Sequence, residues 1–237
     1  KKVRSFSKKL NKKTCSVLYN PFGTKTGRLT VQKRSFPILT LDRGLRKYIE
    51  PTNDVFVELD INGAEIRTML ALLDKPQPQV DIHDWNLRNL YNNAGTREEA
   101  KKRFFAWLYN DNSDDKVTTR FYSKDQIKER FWNGTHINTP FHRSIESDEY
   151  HSINYVLQST SNDVCLEQAC KVSKLLEGMR SRVAFMMHDS VVLDYDAKEQ
   201  KQLEEIISTF QNTRFGAYKI NVSIGRDFGN MRKISWK

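Results

Sequence analysis

The chain has 237 residues, of which 38% are hydrophobic and 11% aromatic, a composition that fits a folded protein and excludes a disordered one. Lysine and arginine number 39 against 29 acidic residues, which gives a formal net charge of +10. Such an excess favours a polyanion such as nucleic acid as the partner, because each neutralised phosphate releases condensed counterions. On charge alone, a soluble basic protein without such a partner remains open.

The first third of the chain predicts an arm, a strand and a helix. Residues 1–35 are basic and polar with little periodicity, which is typical of an extended arm. Residues 55–60 are rich in β-branched and aromatic side chains and predict a buried strand that ends at Asp60. The amphipathic helix that should follow has apolar side chains at Ile66, Met69, Leu70 and Leu73.

The middle of the chain predicts two helices separated by a polar stretch. Thr96 and Glu99 form the pattern of a capping box, so a helix should begin there and run to about Tyr109. Residues 110–135 form a polar and charged stretch, which we expect to include a mobile loop. A long helix over 149–177 should turn four side chains inward, those of Cys165, Ala169, Val172 and Leu176.

The last third predicts a hairpin, a helix and a final strand. Residues 183–187 and 191–193 are apolar and enclose a turn at His188 and Asp189. Spaced apolar residues over 203–210 indicate an amphipathic helix, and alternating ones over 220–224 indicate the last strand. The whole order predicts an α+β fold, in which a small antiparallel sheet carries a helical insertion.

The cysteines and the apolar runs bear on the cellular compartment. Cys15, Cys165 and Cys170 are an odd number without metal-ligand spacing, as expected of reduced thiols in a cytoplasm. No apolar run approaches the ~18 residues of a membrane span, and the first residues lack the apolar core of a secretory signal. We therefore expect a cytoplasmic protein with no membrane partner.

Two aspartates stand where predicted strands end. Asp60 closes one apolar strand, and Asp189 lies at the tip of the hairpin. A carboxylate at a buried strand end must pair, bind a metal or shift its pKa. Two such groups on neighbouring strands can hold a pair of magnesium ions for phosphoryl transfer. Aspartates that end a strand in solvent and bind no metal would give the same sequence pattern. The two aspartates alone therefore leave both interpretations open.

The helix that begins after Thr96 carries a stripe of four functional side chains. Arg97, Lys101, Phe105 and Tyr109 recur every fourth residue and so lie on one face. Two cations one turn apart suit the phosphates of a nucleotide, and an aromatic ring one turn further can stack on its base. An ordinary amphipathic surface helix has the same spacing, so this pattern alone also leaves two interpretations open.

These segments together resemble the motifs of family A (Pol I-like) DNA polymerases. The stripe on the helix is similar to motif B, R-x3-K-x3-F/Y-x3-Y. The other matches, in chain order, are T-G-R-L at 26–29, D-I-N-G-A-E-I-R at 60–67 for motif A (D-Y-S-Q-I-E-L-R), D-I-H at 81–83, N-x3-Q at Asn154 and Gln158 leading to Asp163, and H-D-S at 188–190 for motif C (H-D-E).

The resemblance implies a role for each matching residue. Asp60 and Asp189 would hold two Mg²⁺ ions, or Mn²⁺ in their place, with help from the Ile61 carbonyl. Glu65 would crowd a ribose 2′-hydroxyl and so favour dNTP. The remaining roles are triphosphate contacts for His83, Arg97 and Lys101, base stacking for Phe105, the templating position for Tyr109, the minor groove of primer–template DNA for Arg28, Asn154 and Gln158, and the primer terminus for His188.

The resemblance also implies an architecture, that of the right-hand polymerases. Residues 1–82 would form an N-terminal arm and the first part of the palm, 83–148 shortened helical fingers, and 149–237 the second part of the palm. No complete thumb is expected. A partner chain or a missing segment would then supply a thumb, an exonuclease or both, as in a split polymerase of a phage or another virus replicating DNA in a bacterial cytoplasm or an infected host cell.

Four residues depart from the family's motifs, and the sequence leaves rival functions open. Ser190 replaces the usual glutamate of motif C, Gly63 a common glutamine, Asn110 a common glycine, and Tyr150 an arginine that often approaches the active site. The main rival is a catalytically inactive polymerase-like subunit that binds primer–template in a replisome. A metal-dependent nuclease would have no use for the stripe on the helix after Thr96 or for Glu65 as a barrier to a ribose 2′-hydroxyl. A related RNA polymerase would lack the motif A glutamate that forms this barrier.

Overall fold

The computed structural model describes residues 16–110 and 112–235. Cys15 and the rest of the predicted basic arm before Ser16 lie outside these ranges. The strands are β1 (Tyr19–Asn20), β2 (Thr30–Val31), β3 (Val55–Ile61), β4 (His136–Asn138), β5 (Ser144–Glu146), β6 (Arg182–Met187), β7 (Ser190–Tyr195), β8 (Asn212–Thr213), β9 (Gly216–Ala217), β10 (Ile220–Gly225) and β11 (Arg232–Ile234).

Seven α-helices lie in the described part of the chain, with short 3-10 turns at Ile38–Thr40, Arg43–Tyr48 and Ala197–Gln202. No helix among the described residues is both long and apolar enough to cross a bilayer. The helices are α1 (Ala64–Leu72), α2 (Ile82–Asn89), α3 (Arg97–Tyr109), α4 (Lys116–Phe121), α5 (Lys124–Phe131), α6 (Glu149–Leu175) and α7 (Leu203–Gln211).

The main sheet has five antiparallel strands in the order β11-β10-β3-β7-β6. Three two-stranded sheets pair β1 with β2, β4 with β5, and β8 with β9. The fold is therefore a mixture of helices and small antiparallel sheets, as the α+β prediction states. The predicted last strand over 220–224 exists as β10, but the sequence analysis missed β11, which is short and has two charged residues.

Both faces of the main sheet are covered, because its side chains alternate between them. On one face, odd-numbered residues of β3 such as Val57 and Leu59 pack against α6 and α7. The four side chains predicted to face inward from the long helix are all buried in this cluster. On the other face, Phe56 packs with Phe36 and Ile38 from the segment before β3. The end of this second face, near Asp60, opens into a cleft.

The second core lies among the helices between β3 and β7. Side chains of α1, α3 and α6, including Ile66, Phe104 and Leu157, pack with the ring of Tyr122. The capping box is present, since Thr96 and Glu99 exchange hydrogen bonds at the start of α3. This confirms the predicted helix and its end at Tyr109.

Two helices that the sequence analysis did not predict lie in the polar stretch over 110–135. The mobile loop expected somewhere in that stretch stays a prediction. Asp115 caps α4 and Ser123 caps α5 through hydrogen bonds to backbone N–H groups. Tyr122 and Ile127 are fully buried and attach both helices to the helical core. Two buried side chains among polar ones are too few to produce a clear hydrophobic periodicity, so tertiary contacts decide the structure here.

Candidate active site

Asp60 and Asp189 come together at one end of the main sheet. Asp60 is paired with Ser190 across β3 and β7, and the Ile61 N–H donates to the Asp189 carbonyl at 3.1 Å. His188 has φ +53° at the tight turn between β6 and β7. The antiparallel register therefore brings together two residues that are far apart in the sequence.

Burial raises the pKa of both carboxyl groups. The pKa of Asp60 rises to about 6, first because of burial and also because of the nearby Glu58 and Asp189 carboxylates. The Asn221 amide, which donates to Asp60 Oδ2 at 2.9 Å, opposes this rise. Burial likewise raises the pKa of Asp189. Two half-buried carboxylates that repel each other are stabilised by a positive charge bound between them.

The donor chemistry at this end of the sheet fits a hard divalent cation, with a limited set of ligands. Among the described residues, no group of three or more His, Cys, Asp or Glu side chains is placed to hold a metal ion. The two aspartates supply carboxylate oxygens, the ligand type that Mg²⁺ prefers, and Mg²⁺ usually takes one or two protein carboxylates plus substrate phosphates and water. A two-carboxylate site is therefore compatible with Mg²⁺ bound together with a phosphorylated substrate.

An open cleft of ≈ 340 Å³ lies beside these aspartates, between the main sheet and α3. Every residue predicted to be catalytic, to bind metal or to bind dNTP lines it except Tyr109, and Tyr109 contacts the lining residue Glu65. The lining comprises Asp60, Ile61, Asn62, Gly63, Ala64, Glu65, His83, Arg97, Lys101, Phe105, Asp189 and Asn221.

The two cations predicted to bind phosphates differ in their partners. Arg97 Nη2 bonds Asp81 Oδ2 at 2.7 Å, and its other terminal nitrogen bonds Glu98. Lys101 is exposed and makes no ion pair within the part of the chain that the structure describes. Lys101 is thus ready to bind an anion in the cleft, whereas Arg97 must share or exchange its contact with Asp81.

His83 is buried in the wall of the cleft next to the Phe105 ring, 6.2 Å away between centroids. Burial lowers the pKa of His83 to about 4, so the ring is neutral at pH 7. Its Nδ1 is buried without a hydrogen-bond partner among the described residues. A neutral imidazole in the wall of the cleft can accept a hydrogen bond from a ligand or donate one to it.

Glu65 is held by two residues from distant parts of the chain. Tyr109 donates to Glu65 Oε2 at 2.5 Å, and Arg28 Nη2 lies 3.2 Å from Oε1. Burial is the main reason that the pKa of Glu65 is raised. The carboxylate is therefore kept in one position at the cleft, and the Tyr109 ring stacks on Phe105 with centroids 5.9 Å apart.

The four residues predicted to bind DNA form two groups. Arg28 and His188 line a small cavity that also reaches Asp189. Asn154 and Gln158 lie one turn apart on α6 and bond each other. Their contact with nucleic acid stays a prediction, because the structure shows only where these side chains lie.

Two of the departures from the motifs have a structural reason. Gly63 has φ +66°, and a Cβ there would lie 2.4 Å from Ile82 Cγ2, so glycine is needed on both counts. Ser190 lies 3.0 Å from Glu58 Oε1 on the neighbouring strand, so a carboxylate stands beside the motif C position although the motif lacks one. The structure gives no reason for the departures at Asn110 and Tyr150.

Two residues of the site escaped the sequence analysis. Asn221 bonds Asp60, and Asp81 bonds both Arg97 and the Asn62 amide. A signal for Asn221 existed, because it is the polar position between Ile220 and Val222 in a strand whose other face is buried. Asp81 was noted only as part of D-I-H, with no role of its own.

Comparisons with known proteins give a match at the level of the fold. No family model and no curated protein matches the chain. Among solved structures, the chain is similar to the POL domain of Pol1 from M. smegmatis, solved in complex with a DNA primer–template and dNTP, with a TM-score of 0.70 and 15% sequence identity. The match covers 90% of this chain and 48% of that one, so the chain spans about half its length. The chain therefore has the fold of a DNA polymerase domain, which is the fold that the motif resemblance implies.

Proposed function

We propose that this chain is a template-directed DNA polymerase that adds dNTPs to a primer 3′-hydroxyl by two-metal phosphoryl transfer, in DNA replication. The observation that carries the proposal is the single cleft shared by Asp60, Asp189, Arg97 and Lys101. A chain that only binds primer–template would have no use for two half-buried carboxylates and two cations in the same cleft. The polymerase fold supports the proposal but does not carry it.

Asp60, Asp189 and the Ile61 carbonyl would hold two Mg²⁺ ions, or Mn²⁺. When bound, such ions activate the attacking hydroxyl and neutralise charge on the leaving oxygens. The burial that raises the pKa of both aspartates also places them in a medium where binding a cation relieves their repulsion. Catalysis of this kind consists mostly of positioning and charge stabilisation.

The side chains of the cleft would bind the nucleotide and the primer–template. Lys101 and Arg97 would neutralise the triphosphate, with the neutral His83 as a hydrogen-bonding partner. Phe105 would stack on the incoming base. On the DNA side, the proposed contacts are Arg28, Asn154 and Gln158 in the minor groove, Tyr109 at the templating position and His188 at the primer terminus.

In this proposal the main sheet with α6 and α7 corresponds to the palm, and the helices over 83–148 correspond to the fingers. The net charge of +10 suits a DNA partner, and the thiols of Cys165 and Cys170 are free, as in a cytoplasm. A phage origin and a partner that supplies a thumb or an exonuclease stay predictions.

Single-nucleotide primer extension tests the proposal. The wild-type chain and Asp189→Ala are incubated with primer–template, Mg²⁺ and the complementary dNTP. We expect extension by the wild type and a loss on the order of 10³-fold or more in the variant, because one of the two metal-binding carboxylates is gone. Equal binding of labelled primer–template by both proteins serves as the control for folding.

The same experiment separates the rival function. If neither protein extends the primer but both bind it, the chain is an inactive polymerase-like subunit. Full activity of Asp189→Ala would show that the reaction uses another centre.

Sugar selection gives a second, independent prediction. Glu65→Ala should narrow the preference for dNTP over rNTP by at least about tenfold, because the carboxylate fixed by Tyr109 and Arg28 no longer crowds a 2′-hydroxyl. The measurement is kcat/KM for a matched dNTP and rNTP pair. Tyr109→Phe, which removes one hydrogen bond to the gate, should have a smaller effect in the same direction. An unchanged ratio in Glu65→Ala would refute the gate.

A further inference from the structure

The strand β11 adds an edge to the main sheet and places a lysine on its functional face. β11 pairs antiparallel with β10, and Lys233 is opposite Ser223. Ser223 is in turn opposite Glu58 on β3, so Lys233, Ser223 and Glu58 form one row across three strands. Directly opposed residues of neighbouring strands point to the same side of a sheet.

The neighbours of Lys233 show which side this is. Ile234, the next residue, packs against the core that the sheet forms with α6 and α7. Since successive side chains of a strand alternate between the faces, Lys233 points to the opposite face, where Asp60 and the cleft lie. Arg232, on the other side of Lys233, faces the helices as Ile234 does.

The turn before β11 is held in place by several contacts. The Gly229 and Asn230 N–H groups donate to Asp227 Oδ1 at 2.9 and 2.8 Å. Phe228 is buried against Phe185, and its N–H donates to the Ile49 carbonyl at 2.9 Å. The backbone that carries Lys233 is therefore anchored to the body of the protein.

Lys233 is a cation on the same face of the sheet as Asp60. By strand geometry its Cα lies ~12 Å from that of Asp60, two strands across and two residues along. The Lys233 side chain is exposed and makes no ion pair or hydrogen bond within the described ranges 16–110 and 112–235.

We propose that Lys233 binds a phosphate group of the substrate on the Asp60 side of the sheet. The inference rests on the proposed function and extends it to a residue outside every motif. A phosphate contact requires a backbone that is anchored, a side chain that points to the right face and an ammonium group that is not already in an ion pair. Lys233 meets these three conditions among the described residues. The phosphate belongs either to the DNA backbone or to the nucleotide, and the experiment distinguishes the two.

The test compares Lys233→Gln with Arg232→Gln. Both variants remove one exposed positive charge from β11, but on opposite faces, so a non-specific effect of net charge acts equally on both. Primer–template binding is measured by fluorescence anisotropy between 50 and 200 mM KCl without nucleotide. The KM for dNTP is measured separately by single-nucleotide extension. Unfolding in urea confirms that both variants are folded.

If the contact is with DNA, Lys233→Gln weakens primer–template binding about 3- to 10-fold and lowers the slope of log K against log[salt] by about 0.9. If the contact is with the nucleotide, DNA binding is unchanged and the KM for dNTP rises severalfold. In either case Arg232→Gln stays close to the wild type.

Two results overturn the inference: Lys233→Gln leaves both quantities unchanged, or Arg232→Gln changes them as much as Lys233→Gln does. If the wild-type chain binds primer–template without extending it, the proposed polymerase function is contradicted. The anisotropy measurement on the two variants then still decides whether Lys233 contacts DNA. Failure of the inference and failure of the proposed function are thus distinguishable.

Discussion

Asp60→Asn is expected to lower the rate of primer extension by about 10³-fold or more and, at the same time, to stabilise the fold at neutral pH. The loss of rate follows because an amide cannot supply the negative charge that a pair of metal ions requires. The gain in stability follows because the charged form of Asp60 is costly where it lies. Asparagine has the same shape and can still accept the hydrogen bond from Asn221.

The sign follows from the pKa of Asp60, which burial raises from 3.8 to about 6 in the folded chain. The folded state therefore binds the proton more tightly than the unfolded state. The contribution of Asp60 to the unfolding free energy falls as pH rises from about 4 to about 6 and stays low above that range. A shift of this size corresponds to at most ~3 kcal/mol, so we expect Asp60→Asn to gain about 1–3 kcal/mol at pH 7.5 and nothing at pH 4.

The measurement is urea unfolding of the wild type and the variant at pH 7.5 and pH 4, next to the extension assay. The exposed Asp114, replaced by asparagine, is the matched control and should change neither quantity by much. An Asp60→Asn variant that is less stable than the wild type at pH 7.5 would contradict the assigned cost of the buried charge. One that still extends primers at the wild-type rate would contradict the metal site.

Arg67→Ala is expected to destabilise the fold by about 3–5 kcal/mol, the largest loss of stability that we predict. Arg67 is fully buried on α1, and its guanidinium donates to three backbone carbonyls. These are the carbonyls of Asn62 at 2.6 Å, Pro78 at 2.8 Å and Val80 at 2.8 Å. Alanine would leave them without donors and leave a cavity where the side chain was.

The loss should also reach the active site, because Arg67 joins the loop over 75–80 to the end of β3. Urea unfolding measures the destabilisation, and Arg88→Ala on the exposed side of α2 is the control, with an expected change below about 1 kcal/mol. Arg67→Lys keeps the charge but loses the planar fork, so it should be intermediate. A destabilisation of Arg67→Ala no greater than that of Arg88→Ala would show that the carbonyls find other partners.

The sequence by itself predicted the elements in which a local pattern is strong. The capping box of Thr96 and Glu99 predicts α3, and the spacing of Arg97 and Lys101 predicts which side chains share its face, because a helix repeats every 3.6 residues. The runs that lead to Asp60 and Asp189 likewise predict two strands that end in carboxylates. Order along the chain then connects these residues to the polymerase motifs.

Tertiary structure alone decided the rest. The helices α4 and α5 form because Tyr122 and Ile127 are buried in the helical core. No hydrophobic periodicity in the local sequence predicts this burial. Asn221 reaches Asp60 and Lys233 reaches its face of the sheet through strand register. Register follows from which faces are buried, and the pKa of a carboxyl group follows from how deeply it is buried. Both depend on contacts between segments far apart in the chain, and a pattern of neighbouring residues does not contain them.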